Sequence, residues 1–286
     1  MINALTFDVE EYFHAEAFGG VVRPEDWRTL ESRVGGATQR ILELLAETGT
    51  LATFFVLGWV AERYPGLVRS IQTQGHEVAC HGYGHQMITG LSRTQFAADL
   101  HRAKATLEDV IGGPVIGYRA PTFSVVRETL WSLEVLAEAG FRYDSSIFPI
   151  VHDRYGIPDA PRFPHRRPVG DGATIVEFPL STVGGSRWRF PVAGGGYFRL
   201  LPYAVTAWAF RRVNRREGQP VIVYLHPWEI DPGQPRLPVD RLTRLRHSIN
   251  TRTTEGKLRR LVGEFRFAPV REVLAESGVM AGGGSR

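Results

Sequence analysis

The chain has 286 residues, 43% hydrophobic and 22% charged, which is enough apolar material for a sizeable core and excludes disorder. Its one cysteine, Cys80, excludes an intramolecular disulfide framework. The net charge of +4 rests almost wholly on arginine, with Lys104 and Lys257 the only lysines, and no RNA or DNA motif accompanies it, so no nucleic-acid partner is expected.

Met1–Asp8 reads as a short strand running into Asp8, Glu10 and Glu11, with neither the basic start nor the apolar run of a secretory signal. No stretch reaches the roughly 18–20 apolar residues that span a bilayer, and a cytoplasmic location is expected. Strands are predicted at Ile2–Phe7, Ala52–Val56, Glu77–Cys80, Val115–Tyr118, Phe141–Tyr143, Thr174–Phe178 and Pro220–Leu225. Helical patterns fall between them at about 36–48, 60–73, 93–111, 126–139 and 202–216, then at 238–262 and 269–276. Ser92 precedes the third of these and Gly112-Gly113-Pro114 stops it, while Gly140 ends the fourth. Alternating strands and helices call for a parallel sheet. About seven strands favour a closed or nearly closed β/α barrel over an open doubly wound sheet. Residues 149–171, rich in proline, and 184–196, rich in glycine, are expected to be long inserted loops, of the kind that serve as walls or lids. A single domain over 1–286 is expected, with a helical extension from about 236.

Four motifs sit at predicted strand ends, where both fold types place function. His81-Gly-Tyr-Gly-His85 sets two imidazoles four residues apart, able to converge on one ion. In Asp8-Val9-Glu10-Glu11, strand alternation puts Asp8 and Glu10 on one face and turns Glu11 away, where capping the next helix stays open as a reading. Arg119, with Pro121, Thr122 and Phe123 behind it, can hold a carboxylate bidentately. The apolar strand Val221–Leu225 ends in His226, a candidate general acid, followed by Trp228. Alternation points Cys80 away from His81, into the core.

Taken in order, these motifs resemble the polysaccharide deacetylases of the NodB-homology group, carbohydrate esterase family 4. The matching runs are Thr6–Glu10, His81–His85, Arg119-Ala-Pro121, Tyr143-Asp144-Ser-Ser and Leu225-His226. The opening Asp-Val-Glu-Glu-Tyr-Phe-His, Gly194-Gly-Gly-Tyr-Phe-Arg and Leu-His-Pro-Trp-Glu look like the subgroup associated with exosortase and exopolysaccharide clusters. The resemblance implies an α/β fold, a distorted (β/α)7 barrel, with one divalent cation, zinc first and cobalt, manganese or nickel as alternatives. It also implies removal of acetyl groups from N-acetylated oligo- or polysaccharides. On that reading Glu10, His81 and His85 hold the metal, with Glu11 the alternative acid. Asp8 is the base, Arg119 orients it, and His226 is the acid. An oxyanion-binding N–H is expected near Thr122.

The sequence departs from the family pattern in three places. The second acid is displaced to Glu10, Gly82 replaces the hydroxyl residue after the first histidine, and the usual Asp-Trp pair is missing. Asp144 is therefore the candidate to orient His226, and Trp188 the candidate aromatic wall. Thr122, Phe123, Trp188, Phe190, Tyr197 and Trp228 are candidate substrate contacts. The altered acidic motif keeps two rivals open: a metal-independent cyclic amide or imide hydrolase, and a non-catalytic carbohydrate-binding barrel. An Arg-rich stretch at 236–271 would allow peripheral contact with the inner membrane, where a lipid-linked precursor could be met.

Overall fold

The computed structural model describes residues 1–170, 172–185 and 188–280. The end of the expected 1–286 domain, residue 171 of the first expected loop and residues 186–187 of the second lie outside the described residues. The strands are β1 (Asn3–Val9), β2 (Thr53–Val56), β3 (Glu77–Cys80), β4 (Gly117–Tyr118), β5 (Tyr143–Asp144), β6 (His165–Val169), β7 (Ala173–Glu177), β8 (Thr182–Gly184), β9 (Arg189–Pro191), β10 (Ile222–Leu225) and β11 (Phe267–Ala268). The helices are α1 (Val34–Thr48), α2 (Gly58–Arg63), α3 (Pro65–Thr73), α4 (Arg93–Ile111), α5 (Ser132–Glu138), α6 (Gly195–Leu200), α7 (Tyr203–Arg216), α8 (Arg241–Ser248), α9 (Thr251–Glu264) and α10 (Val270–Glu276).

Seven strands, β10, β1, β2, β3, β4, β5 and β7, lie side by side in that order and pair in parallel. β11 joins the start of β1, and β6 forms an antiparallel hairpin with β7. Among the described residues no ladder links β7 to β10. The chain between them covers the gap through single contacts: Ile222 N donates to Ser181 Oγ (2.9 Å) and Tyr224 N donates to Ala193 O (2.7 Å). Gly194 bridges to Tyr224 beside them, and a Cβ there would stand 1.9 Å from the Tyr224 carbonyl oxygen. Only glycine lets the backbone come that close. The result is the expected α/β architecture of seven parallel strands, joined on its last side by isolated contacts.

Alternation along the strands sorts the core into two layers. Leu5, Phe7, Val9, Phe54, Val56 and Cys80 face the helices, whereas Ala4, Phe55, Ala79, Tyr143 and Val176 face the interior of the curved sheet. Cys80 is fully buried in the outer layer, as alternation predicts. Asp8 follows the inward parity of Ala4 and Thr6, so β1 delivers it to the interior at its C-terminal end.

α4 occupies the predicted 93–111, with Ser92 accepting from Gln95 N at one end and Gly112 in the left-handed region at the other. Two predicted helices are each broken in two. Pro65 disfavours helical geometry at Tyr64 and splits 60–73 into α2 and α3, and Asn250, at φ 59°, separates α8 from α9. The two expected loops contain structure as well. Residues 149–171 include β6, an edge strand whose arginines and Pro168 hide its pattern, and residues 184–196 include β9 and the start of α6. Among the described residues no helix is long and apolar enough to cross a membrane.

Candidate active site

The base side of the cleft is built on Arg119, which is completely buried at the end of β4. Its Nη1 donates to Asp8 Oδ1 (2.7 Å) and Thr6 Oγ1 (2.8 Å). Its Nε and Nη2 donate to Ser145 O and Ser145 Oγ. The guanidinium also lies 4.1 Å from the centre of the Phe55 ring. A buried guanidinium is tolerable only when its donors are met and its charge is paired, and both conditions hold here. Asp8 Oδ1 is thereby fixed, leaving Oδ2 toward the cleft, 4.0 Å from His226 Nε2.

Glu10, His81 and His85 bring a carboxylate oxygen and two imidazole nitrogens within 4.8 Å of one another. His81 Nδ1–H donates to the Arg119 carbonyl oxygen (2.8 Å), which fixes the tautomer and leaves Nε2 free as a ligand atom. Burial, ahead of its charged neighbours, holds the His81 pKa down to about 4, so the ring stays neutral. Burial would push Glu10 up, but His85, His226 and His81 outweigh it and hold the carboxyl well below the usual range. Trp228 Nε1 donates to Glu10 Oε1 (3.1 Å). Glu10 Oε2 is buried and lies 2.7 Å from His85 Nε2, but the pair lacks hydrogen-bond geometry and the oxygen has no partner. A carboxylate and two imidazoles, with one buried carboxylate oxygen left without a partner, fit a divalent cation.

Glu11 is not part of this set. Its carboxylate accepts from Ser32 Oγ, Arg33 N (2.9 Å) and Val34 N (3.1 Å), tying down the start of α1. The helix-capping alternative therefore holds for Glu11.

The acid side is built on a turn at Pro227–Ile230. That turn folds Glu229 back under His226, so that Glu229 Oε2 lies 3.0 Å from His226 Nδ1 and accepts from His226 N as well (3.0 Å). Glu229 Oε1 accepts from Arg199 Nε (2.6 Å), and both partners are buried. Burial would lower the His226 pKa, but Glu10, Glu229 and Asp8 together raise it to about 9. Glu229, although buried, is held down to about 2 by Arg199 and His226. The imidazolium is thus loaded with a proton at neutral pH, with Nε2 facing Asp8 (4.0 Å) and Glu10 (3.8 Å).

Asp144 does not orient His226. Its carboxylate accepts from Ser146 Oγ (2.5 Å) and Ser146 N (3.2 Å), and it is hydrogen-bonded to Glu177. Burial pushes the Asp144 carboxyl up against its hydrogen bonds, and burial together with the Asp144 charge pushes Glu177 well above the usual range. Asp144 lies on β5, which pairs with β4 and β7, while the His226 side chain belongs to the end of β10. Sequence reasoning quoted Glu229 and Arg199 within motifs but gave them no role. The available signal was the three-residue spacing from His226, which a tight turn converts into contact.

The cleft has a cavity of about 160 Å³ lined by Asp8, Glu10, His81, His85, His226 and a partly aromatic rim. Thr122, Phe123 and Trp228 belong to that rim as expected, joined by Tyr155 and Tyr224, which sequence reasoning missed. Tyr155 comes from the proline-rich segment and packs against Phe123 and Phe148, so that segment supplies a wall. Trp188, Phe190 and Tyr197 are not in the lining. Trp188 and Phe190 stand out into solvent, 61% and 39% exposed, and Tyr197 packs against the inner core layer. His85, Thr122 and Phe123 all have φ between 51° and 54°, an unfavourable conformation for side-chain-bearing residues that clusters here at the cleft.

Residues 24–143 match the polysaccharide deacetylase family model, and residues 145–275 match a domain of unknown function, DUF3473. A peptidoglycan deacetylase of Helicobacter pylori is 26% identical over 63% of this chain and 56% of its own length. A chitooligosaccharide deacetylase of Azorhizobium caulinodans is 31% identical over 35% of this chain and 45% of its own. These matches support the polysaccharide deacetylase family. The chain spans about a third to just over half of the length of the first curated relatives it matches. Among solved structures, a polysaccharide deacetylase-type protein of Mycobacterium smegmatis superposes with TM-score 0.63 at 23% identity, over 96% of this chain and 89% of its own. The PuuE allantoinase superposes with TM-score 0.65 at 13% identity, over 97% and 91%. Both likenesses concern the fold alone. The boundary between the two matched segments falls at β5, inside the one sheet. The second segment contributes β7, β10 and the whole acid side: Arg199, His226 and Glu229.

Proposed function

We propose that the protein is a metal-dependent deacetylase that hydrolyses the N-acetyl amide of N-acetylated sugars in a bacterial exopolysaccharide or its precursor. The observation that carries this reading is the facing pair Asp8 and His226, one held by Arg119 and the other by Glu229, across the Glu10–His81–His85 triad. A divalent ion on that triad, with zinc the best fit to its donors, would supply Lewis-acid polarisation of the acetyl carbonyl and acidify a bound water.

The chain's own residues do the rest. Asp8 accepts a proton at Oδ2 while Arg119 keeps its other oxygen fixed. His226, protonated at neutral pH, donates from Nε2 to the departing amine. Tyr155, Phe123 and Trp228 give apolar faces for a sugar ring. Arg119, Ser145 and Thr6 exclude water from behind the base. We place the enzyme in the cytoplasm, meeting its substrate at the inner membrane face.

The test is amine release from N-acetylglucosamine oligomers. Asp8→Asn, which keeps the side chain's shape, is expected to lower the rate by about 10²–10⁴-fold while the protein stays folded. A folded Asp8→Asn protein as fast as the parent overturns the reading. Allantoin hydrolysis in the absence of any metal would favour the cyclic-amide alternative, which shares this fold.

A further inference from the structure

Beside the cleft lies a second and larger cavity, about 640 Å³ and open to solvent. Its lining includes Arg236, Arg241, Arg244 and Arg252, together with Leu237, Val239 and Leu245, and contains no Asp or Glu. Among the described residues none of these four arginines pairs with a carboxylate. Among the described residues the only hydrogen bond from their side chains runs from Arg244 Nη2 to the Val239 carbonyl oxygen. The nearest acid in sequence, Asp240, is used as the N-cap of α8, accepting from Leu242 N, Thr243 N and Thr243 Oγ1. Asp231, at the start of the same segment, is occupied by Arg33 through two hydrogen bonds. The cavity is therefore ringed by uncompensated positive charge.

The same patch is apolar. Leu242 and Leu245 stand 54% and 56% exposed on α8, each following one of the arginines Arg241 and Arg244. Cationic heads interleaved with exposed aliphatic side chains suit a ligand that is both anionic and greasy.

The cavity shares a wall with the cleft. His247 lines the cavity and stacks on Trp228 at 4.2 Å, and Trp228 stacks on His226 at 4.8 Å. Phe18 lines it too and meets the His247 ring edge-on at 4.5 Å, while its neighbours Ala15 and Glu16 line the cleft. Arg199, which holds Glu229, also donates to the His247 carbonyl oxygen (2.8 Å). A saccharide in the cleft could therefore extend past the Trp228–His247 stack into the arginine cavity.

We infer that this cavity binds a phosphoryl group carried by the saccharide substrate, seated between Arg241 and Arg244 with Arg236 and Arg252 at its edges. Guanidinium forks match phosphate oxygens in pairs, and four of them suit a diphosphate. This deepens the deacetylase reading and rests on it for the identity of the sugar. The phosphoryl group has two sources, a lipid diphosphate that bears the sugar or a soluble phosphorylated sugar, and the exposed leucines separate them.

The experiment is calorimetric titration of the full chain with inorganic pyrophosphate and with farnesyl diphosphate, neither of which needs deacetylation to be read. The site predicts saturable binding of both. It also predicts about a tenfold or greater loss for R241E/R244E, because each lost guanidinium removes a charge-assisted pair. R215E/R216E, the same charge change at the exposed end of α7, serves as the control and is expected to bind as the parent does. Tighter binding of farnesyl diphosphate than of pyrophosphate assigns the lipid source, and equal binding assigns the soluble one. The inference is overturned if neither ligand binds, or if the two double variants lose affinity equally. Failure of amine release with pyrophosphate binding intact would sink the deacetylase reading and leave the anion site standing.

Discussion

The two walls of the cleft are built on opposite plans. The base wall, Asp8 with Arg119, Thr6 and Ser145, is sealed, and the Arg119 and Asp8 side chains are 0% and 2% exposed. The acid wall, His226 with Glu229 and Arg199, has its support buried but its imidazole 17% exposed, and it backs onto an open arginine-lined cavity. Both walls use a buried carboxylate held by a buried guanidinium, yet in reverse roles. On the base wall the carboxylate faces the cleft, and on the acid wall it stands behind the histidine that does. The sealed wall fixes one geometry for Asp8, and the other wall leaves the His226 ring partly open to solvent.

The strongest way to break this contrast is Arg119→Met. It strands Asp8 as an unpaired buried charge, so a loss of about 3–5 kcal/mol in unfolding free energy is expected, together with loss of amine release. Chemical denaturation measures it, and a loss under 1 kcal/mol would show the base wall is wetter than the structure has it. Glu229→Gln acts on the other wall through pH. His226 is raised to about 9, so its proton is present below that pH and lost above it, and activity should fall through an alkaline limb near 9. Removing the Glu229 charge lowers that pKa, so the limb should move to lower pH. An unmoved limb in the pH–rate profile would release Glu229 from its role.

Linkage gives the same group a stability signature. A pKa raised in the folded state contributes stability that is complete below the unfolded value of about 6.5 and fades as pH rises through 9. Gly194→Ala should also destabilise the acid wall, by about 1–3 kcal/mol, because its Cβ meets the Tyr224 carbonyl. Thermal unfolding checks that. Cys80→Ala, whose side chain faces the outer core layer, should cost about 1 kcal/mol and leave the rate of amine release unchanged. A changed rate would mean that the outer layer reaches the chemistry.

The base wall was legible in the sequence because local rules decide it. Alternation in β1 sends Asp8 inward beside Thr6, and strand ends place Arg119 and His81 on the same rim. The acid wall was legible only in part. His226 closes a strand and is visible as such, but its supporter depends on a turn geometry that period-two or period-3.6 patterns do not report. Asp144 was the expected supporter because it follows a strand in the resembling motif. Its partner is instead Glu177, on the adjacent strand β7, which no local pattern indicates. The aromatic expectations divide the same way. Trp228 and Phe123 sit next to residues already anchored at strand ends and reach the cleft, whereas Trp188 and Phe190 lie at the small β8–β9 hairpin between β7 and β10 and point to solvent. Tyr155 was missed for the converse reason, being brought back over the cleft by a proline-rich segment with no periodicity.

Between these walls stands the proposed catalytic cation on Glu10, His81 and His85. Its most direct test is amine release by chelator-treated protein as zinc is added back. An inactive chelated protein, full recovery at one equivalent per chain and no recovery in Glu10→Ala are expected. A chelated protein that contains no metal and retains full activity would contradict it.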